Sequence, residues 1–200
     1  NTSHHFFCNA FCSTQSKMPK TVAILAPNLM GNICDWVKIR NLADKYNLIV
    51  IEDSADTLGA TLNGKSTGHY TDISITSFYG SHIINCAGNG GALTVNKKEI
   101  YENAKLLRSW GRSSSLYDEK SEDIENRFNI NLDGIDYDAK FVFEKIGYNL
   151  EGSEIGAAFG LEQLKKLKEN IKIRQRNFNL QSNFFKNYNQ YFSTPIENSY

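Results

Sequence analysis

Apolar and polar positions along this chain fall into runs of two periods, and their order predicts the architecture. From Thr21 the segment TVAILAPNLMG is apolar and β-branched and then broken by Pro27 and Gly31, the pattern of a buried strand and its following loop. Asp35 stands where a cap is needed, and Trp36, Val37, Ile39, Leu42 and Ala43 recur at helical spacing, predicting a helix over 36–46 that Asn47 closes. Leu48 to Ile51 is a second continuous apolar run, so strand, helix and strand follow in the order of a parallel crossover. This is α/β architecture. After turn signals at Asn63, Gly64 and Gly68, the alternation from Ile73 to Phe78 predicts a third strand, and Ala92 to Val95 another. Lys97 to Trp110 reads as an amphipathic helix with Ile100, Ala104 and Leu107 inward. Ser113 to Asn131 is charged, serine-rich and without period, a surface loop or lid, and a mixed segment through Tyr137, Phe141 and Phe143 leads to a turn at Gly147, Tyr148 and Asn149. From Ser153 and Glu154 the apolar series Ile155, Ala158, Leu161, Leu164 and Leu167 predicts a long helix, continued by Phe178, Leu180, Phe184, Phe185 and Tyr188 and ended by Pro195. A helix of that length links domains or lines an interface. Asn1 to Lys17 has neither period and receives no role.

Composition removes whole classes of function. Among 200 residues, Lys plus Arg and Asp plus Glu both number 22, and no basic stripe interleaves with aromatics, which argues against a nucleic-acid partner. No apolar run approaches the roughly 18 residues of a membrane span, and the start lacks the basic-then-apolar order of a signal peptide. The expectation is a soluble cytoplasmic protein. The chain begins at Asn1 rather than Met and is read as a fragment. Cys8, Cys12, Cys34 and Cys86 are spaced too irregularly for a disulfide framework and are read as reduced thiols. His4, His5, Cys8 and Cys12 lack a paired C-x-x-C spacing, so no metal is expected.

Candidate chemistry gathers at two strand ends. The stretch SFYGSHIINCAGNGG, Ser77 to Gly91, brings a hydroxyl, the phenol of Tyr79 and the imidazole of His82 within six positions. Histidine is the side chain that titrates near neutrality, so His82 is the natural proton carrier. The plain alternative is a glycine-rich turn whose histidine caps or packs. Glu52, Asp53 and Asp56 cluster at the end of the second strand. A carboxylate there is costly to bury unless a cation or donors meet it, and a pyridinium nitrogen is one such cation. Capping of the following turn is the alternative role for Asp53.

The run IEDSADTLGATLNGKSTGHYTDISITSFYGSH, Ile51 to His82, resembles the central segment of the DegT family of pyridoxal-phosphate-dependent nucleotide-sugar aminotransferases and dehydratases. The resemblance continues through GNGGALTVN, LRSWGR and GYNLEGSEIGAAFGLEQL, and so covers the chain from about Met18 to its end. It implies the aspartate aminotransferase fold (PLP fold type I): a mixed, mostly parallel sheet between helices, a small C-terminal domain, and a homodimer. Residues 18–165 then form part of the PLP-binding large domain, and 166–200 the linking helix and the start of the small domain. Carried over by motif, Asp53 resembles the partner of the pyridine nitrogen and Ser77 the hydroxyl that holds the cofactor phosphate. Asn149 resembles a residue reaching that phosphate from the neighbouring subunit. His82 stands five residues after Ser77, where the aminotransferases have the lysine that binds the cofactor covalently, and no lysine occurs between Lys65 and Lys97. Without an ε-amine no Schiff base to the protein can form.

Histidine at that place with Tyr79 three residues earlier, and Asp56 where glutamine or histidine is usual, resemble the sugar 3-dehydratase branch, which holds pyridoxamine phosphate non-covalently. The implied reaction takes a nucleotide-linked 4-keto-6-deoxyhexose, as in polysaccharide or deoxysugar biosynthesis. His82 removes a proton from the cofactor methylene, the 3-hydroxyl leaves, and an amino donor such as glutamate regenerates the cofactor. His82, Tyr79 and Asp56 form the implied catalytic set, and Asp53, Ser77, Asn149 and His82 the cofactor-binding set. Ser113, Ser114 and Ser115 follow LRSWGR and no cysteine occurs after Cys86, so no iron–sulfur cluster is expected. GNGG resembles the family's turn between strands rather than a dinucleotide fingerprint, although Asn89 stands where the family more often has glutamate. A PLP-dependent sugar aminotransferase, and an inactive or truncated relative, remain the alternatives.

Overall fold

Asp35 opens the first helix by accepting the main-chain N–H of Lys38 at 3.0 Å. In the computed structural model, which describes residues 21–117, 120 and 123–194, strand β1 (Ala23–Pro27), helix α1 (Trp36–Tyr46) and strand β2 (Ile49–Asp53) make the crossover that the pattern predicts. Asn47 ends α1 in a left-handed conformation, φ 52°, with its N–H returned to the Ala43 carbonyl. Asparagine tolerates that region better than most residues because its short amide bonds locally. Residues 1–17, including His4, His5, Cys8 and Cys12, and Pro195 lie outside the described residues.

Two antiparallel pairs and two further strands follow. Thr61–Leu62 (β3) and Lys65–Ser66 (β4) form a hairpin whose turn residues Asn63 and Gly64 both have positive φ, 52° and 70°, as a two-residue hairpin requires. Ile73–Ser77 (β5) and Gly91–Val95 (β6) complete a four-stranded sheet of order β1-β2-β5-β6, in which β1 with β2 and β2 with β5 are parallel. Trp36 and Ala43 of α1 bury against Val50 and Leu62, with Ile24, Ala26, Ile39 and Tyr70 around them. Val37 and Leu42, apolar in the helical pattern, lie on the exposed side. Arg40 ties α1 to the sheet through Asp72, which also accepts the Val50 N–H at 2.9 Å.

The described residues divide into two compact units, one of residues 21–94 with 154–194 and one within residues 95–153. Lys98–Arg108 (α2), Ile124–Arg127 (α3) and the hairpin of Ile130–Leu132 (β7) with Ile135–Tyr137 (β8) belong to the second. The segment expected to be a surface loop or lid is ordered differently. Ser113 and Ser114 are buried in a 3-10 turn because the Ser113 N–H and hydroxyl both reach the Val142 carbonyl. Helix α2 turns only part of the expected face inward, since Ile100 and Ala104 are half-buried but Leu107 is not. Leu106 and Lys105 are buried while Leu107 is exposed, and the Lys105 ammonium lies 5.3 Å from the Tyr101 ring centre. A lysine that buries its stem hides in a polarity pattern.

Helix α4 (Glu154–Lys186) belongs to the first unit and runs unbroken. Its buried residues are Gly156 and Gly160, not the leucines around them. Among the described residues no helix is long and apolar enough to cross a membrane, and no group of three or more His, Cys, Asp or Glu side chains is placed to hold a metal ion.

Candidate functional site

Parallel pairing brings three strand ends together: Pro27 of β1 stands against Asp53 of β2, and Asp53 against Ile75 of β5, two residues before Ser77. Ligands of open α/β sheets bind beyond such carboxyl ends. Asp53 is half-buried there. Its Oδ1 accepts the Ala55 N–H at 3.0 Å, so it does cap the turn, and its other oxygen has no hydrogen-bond partner among the described residues. Ser77 Oγ accepts the Tyr79 N–H at 3.2 Å, which leaves the hydroxyl hydrogen free to donate.

Beyond Ser77 the chain makes a closed loop. Phe78 donates its N–H to Gly90 and receives that of Cys86, and Ala87 and Gly88, φ 58° and 99°, turn the chain back. The loop is pinned at its neck, with Tyr79 to Asn85 as its excursion. His82 sits at its centre, its N–H bonded to the Tyr79 carbonyl at 3.0 Å and its ring edge-on to the Tyr79 ring, centroids 6.2 Å apart. His82 Nδ1 is buried and has no hydrogen-bond partner among the described residues. Leaving a buried polar nitrogen unpaired costs about 1–3 kcal/mol. The Tyr79 side chain is largely exposed.

Asp56 and Asn149 each have a partner of their own. Asp56 Oδ2 accepts the main-chain N–H of Met30 at 3.0 Å and so holds the loop after β1, where Met30 itself is left-handed at φ 55°. Asn149 belongs to the second unit and forms a β-bridge with Ser109.

A buried polar hub that sequence reasoning missed fixes these strand ends. Asn28 and Glu52 are both about fully buried, at 1% exposure. Glu52 Oε1 accepts from Asn28 Nδ2 and from the Ser54 hydroxyl, each at 2.7 Å, and Oε2 accepts the Gly68 N–H at 2.5 Å. Asn28 Oδ1 in turn accepts the Cys34 N–H and the Trp36 indole N–H, both at 3.0 Å. The available signal was Glu52 itself, an acid closing the apolar run Ile49–Ile51, which has to find donors.

Residues 15–199 match the model of the DegT/DnrJ/EryC1/StrS aminotransferase family. The chain belongs to this family. DegT relatives include the lipopolysaccharide biosynthesis protein RfbH of Salmonella typhimurium, 35% identical over 161 residues, 80% of this chain and 37% of that protein. Among solved structures of the family, the aminotransferase from Psychrobacter cryohalolentis superposes with a TM-score of 0.74 at 28% identity, over 88% of this chain and 42% of that one. The Escherichia coli GDP-4-keto-6-deoxy-D-mannose-3-dehydratase with bound hydrated PLP does so with a TM-score of 0.68 at 29% identity, over 83% and 41%. The chain thus spans well under half the length of these relatives. Its fold is that of the PLP fold type I enzymes, α/β with a mixed, mostly parallel sheet.

Proposed function

We propose that this chain is the cofactor-binding portion of a nucleotide-sugar 3-dehydratase that uses pyridoxal or pyridoxamine 5'-phosphate without covalent attachment. The observation that carries the reading is His82, whose buried Nδ1 is unpaired among the described residues, on a loop that has no lysine. The donor set fits the cofactor. A free carboxylate oxygen on Asp53 suits a pyridinium N–H, and the Ser77 hydroxyl suits a phosphate oxygen. The bound cofactor supplies the electron sink for loss of the sugar 3-hydroxyl. Asp53 keeps a proton on the ring nitrogen by accepting it in a charge-assisted bond. With the cofactor bound, His82 Nδ1 would take a proton from the cofactor methylene and could return it to the departing 3-hydroxyl, which leaves as water, and the pinned neck of the loop holds that nitrogen in place. Tyr79 packs on the imidazole and limits its rotation.

In the same reading the substrate is a nucleotide-linked 4-keto-6-deoxyhexose, and an amino donor such as glutamate restores the cofactor. The protein works in the cytoplasm as a homodimer, to which Asn149 of the partner subunit adds a hydrogen bond to the phosphate. Residues 18–165 are part of the large domain and 166–200 lead into the small one.

The test is an absorbance spectrum of the intact protein with added pyridoxal phosphate, taken before and after borohydride and dialysis. Cofactor that leaves on dialysis supports the reading, whereas cofactor fixed to the protein places a lysine in contact with it and moves the protein to the aminotransferases. His82→Asn is expected to take up cofactor as the parent does and to lose dehydration. Retained turnover in that variant removes His82 from its role.

A further inference from the structure

Asn28 makes a set of bonds that the chemistry above leaves unused. Its main-chain N–H donates to the Asp53 carbonyl at 2.9 Å. Its side-chain amide donates to Glu52 at 2.7 Å and to the Ser54 hydroxyl at 3.2 Å, the residues on either side of Asp53. One residue at the end of β1 thus grips three consecutive residues at the end of the neighbouring strand. Asn28, Glu52 and Ser54 are almost fully buried, whereas Asp53 is half-buried. Alternation along an extended chain explains the split, since Glu52 and Ser54 point to one face and Asp53 to the other.

The grip has a direction. Asn28 Oδ1 accepts two N–H groups, from Cys34 and from the Trp36 indole, so the amide cannot turn over without setting N–H against N–H. Its Nδ2 is therefore held toward Glu52, and the Ser54 hydroxyl donates to the same Glu52 oxygen at 2.7 Å. The Ser54 N–H bonds to the Ile75 carbonyl at 2.8 Å. The peptide group that joins Asp53 to Ser54 is accordingly tied at its oxygen to the end of β1 and at its nitrogen to β5, which fixes the direction in which the Asp53 side chain leaves the chain. The Ala55 N–H then holds one carboxylate oxygen at 3.0 Å. Two residues bracket Asp53 on the buried face and are locked through one amide, so Asp53 has little freedom on the open face. Hydrogen bonds weaken steeply with misalignment, and locked supporting side chains are what keep a functional group aligned.

We propose that Asn28 is a positioning residue that aims the Asp53 carboxylate at the ring nitrogen of the cofactor, an inference that rests on the function proposed above. It acts through the Asp53 peptide and through the two neighbours of Asp53, all within the first unit. Removing the amide leaves the Asp53 carboxylate in the chain and loosens its aim. The loss therefore falls on the bond to the ring nitrogen and spares the phosphate, which the Ser77 hydroxyl suits.

The experiment titrates the intact protein with pyridoxal phosphate and with 1-deazapyridoxal phosphate, in which C–H replaces the ring nitrogen, for the parent, Asp53→Asn, Asn28→Leu and Ser54→Ala, with melting temperatures alongside. A charge-assisted hydrogen bond predicts that the parent prefers pyridoxal phosphate about 10- to 100-fold. Asp53→Asn should abolish the preference. Asn28→Leu should shrink it to about threefold or less, with affinity for the deaza analogue unchanged. Ser54→Ala removes one hydroxyl of the hub with little change in volume, so it should shift the preference the same way by a smaller factor, and it decides the matter if the leucine variant does not fold. A role confined to folding lowers the melting temperature and leaves the preference at the parent's value, and that outcome overturns the inference while the proposed function stands. A parent that takes up neither ligand overturns the proposed function and the inference with it. A parent that binds both ligands alike removes Asp53 from the ring nitrogen, and Asn28 from its role.

Discussion

At the scale of single residues, Asn28 is the side chain on which the strand ends depend. Its amide donates to Glu52, Ser54 and Thr57 and accepts from Trp36 and Cys34, so one group joins β1, β2 and α1. Asn28→Leu keeps the volume and leaves Glu52 without a 2.7 Å donor in a buried place. The expected loss is about 2–4 kcal/mol in denaturant unfolding; a loss under about 0.5 kcal/mol would mean that water replaces the amide. Asp56 calls for a different measurement, because its observed partner is the Met30 N–H rather than His82. Asp56→Ala should speed hydrogen exchange at Met30 about fivefold, the equivalent of one lost hydrogen bond of roughly 1 kcal/mol, whereas Asp56→Asn keeps an acceptor and should not. If both variants leave Met30 protection unchanged, the carboxylate does not order that loop. Asp53 and Ser77 stood out as candidates because each ends an apolar strand, and His82 because it follows the second of them; the hub did not, since an asparagine after Pro27 reads as a plain turn residue.

At the scale of elements, α4 meets the His82 loop through a glycine rather than through its leucines. A Cβ at Gly160 would collide with Cys86 Sγ, so the helix approaches the loop at its neck. Two opposed effects then fix the outcome of Gly160→Ala. In the helix interior alanine is better than glycine by about 1 kcal/mol, but forcing a methyl against the thiol costs about 1–3 kcal/mol. The substitution should destabilise the protein when Cys86 is present and stabilise it in a Cys86→Ala background, where the Sγ is gone. A double-mutant cycle in urea measures the coupling; additivity of the two substitutions would show that the helix does not rest on Cys86. The same contact explains a limit of pattern reading. Periodicity located α1, its Asp35 cap and the β2 run within a residue or two, because those elements bury side chains of their own. It misjudged part of the α2 face and the packing face of α4, where a buried lysine and two buried glycines stand instead. The β7–β8 hairpin escaped notice although Asp133 and Gly134, φ 53° and 84°, carry the turn signal, because only three residues flank it on each side.

At the scale of the whole molecule, several motifs in the family's order made the fold legible, and charge pairs that bind each unit internally add a pH dependence. In the first unit burial pushes the Asp35 carboxyl up, but the hydrogen bonds from Lys38 outweigh it and hold it below the usual 3.8. In the second, the Arg127 guanidinium holds Asp138 below the same value, helped by the Lys140 N–H. Both groups are depressed on folding, so the stability they contribute is complete above the unfolded carboxyl range, about pH 4. It is lost as pH falls through their lowered folded values. Burial pulls the Arg40 guanidinium down, yet Asp72 and Asp44 hold it above its ordinary value, so its contribution persists through neutral and mildly alkaline pH. The two carboxylates therefore act at the acid edge alone. Asp35→Asn keeps a capping acceptor and loses the charge, and being a partly exposed pair it should cost about 0.2–1 kcal/mol near neutrality. Asp138→Asn should lower the urea midpoint in the same pH range. For both variants the gap from the parent should close as the titration moves from pH 6 to pH 2, because the parent's carboxyl becomes neutral like the amide that replaces it. A gap of constant size across that range would assign Asp138 a packing role, with its ion pair to Arg127 contributing nothing to folding.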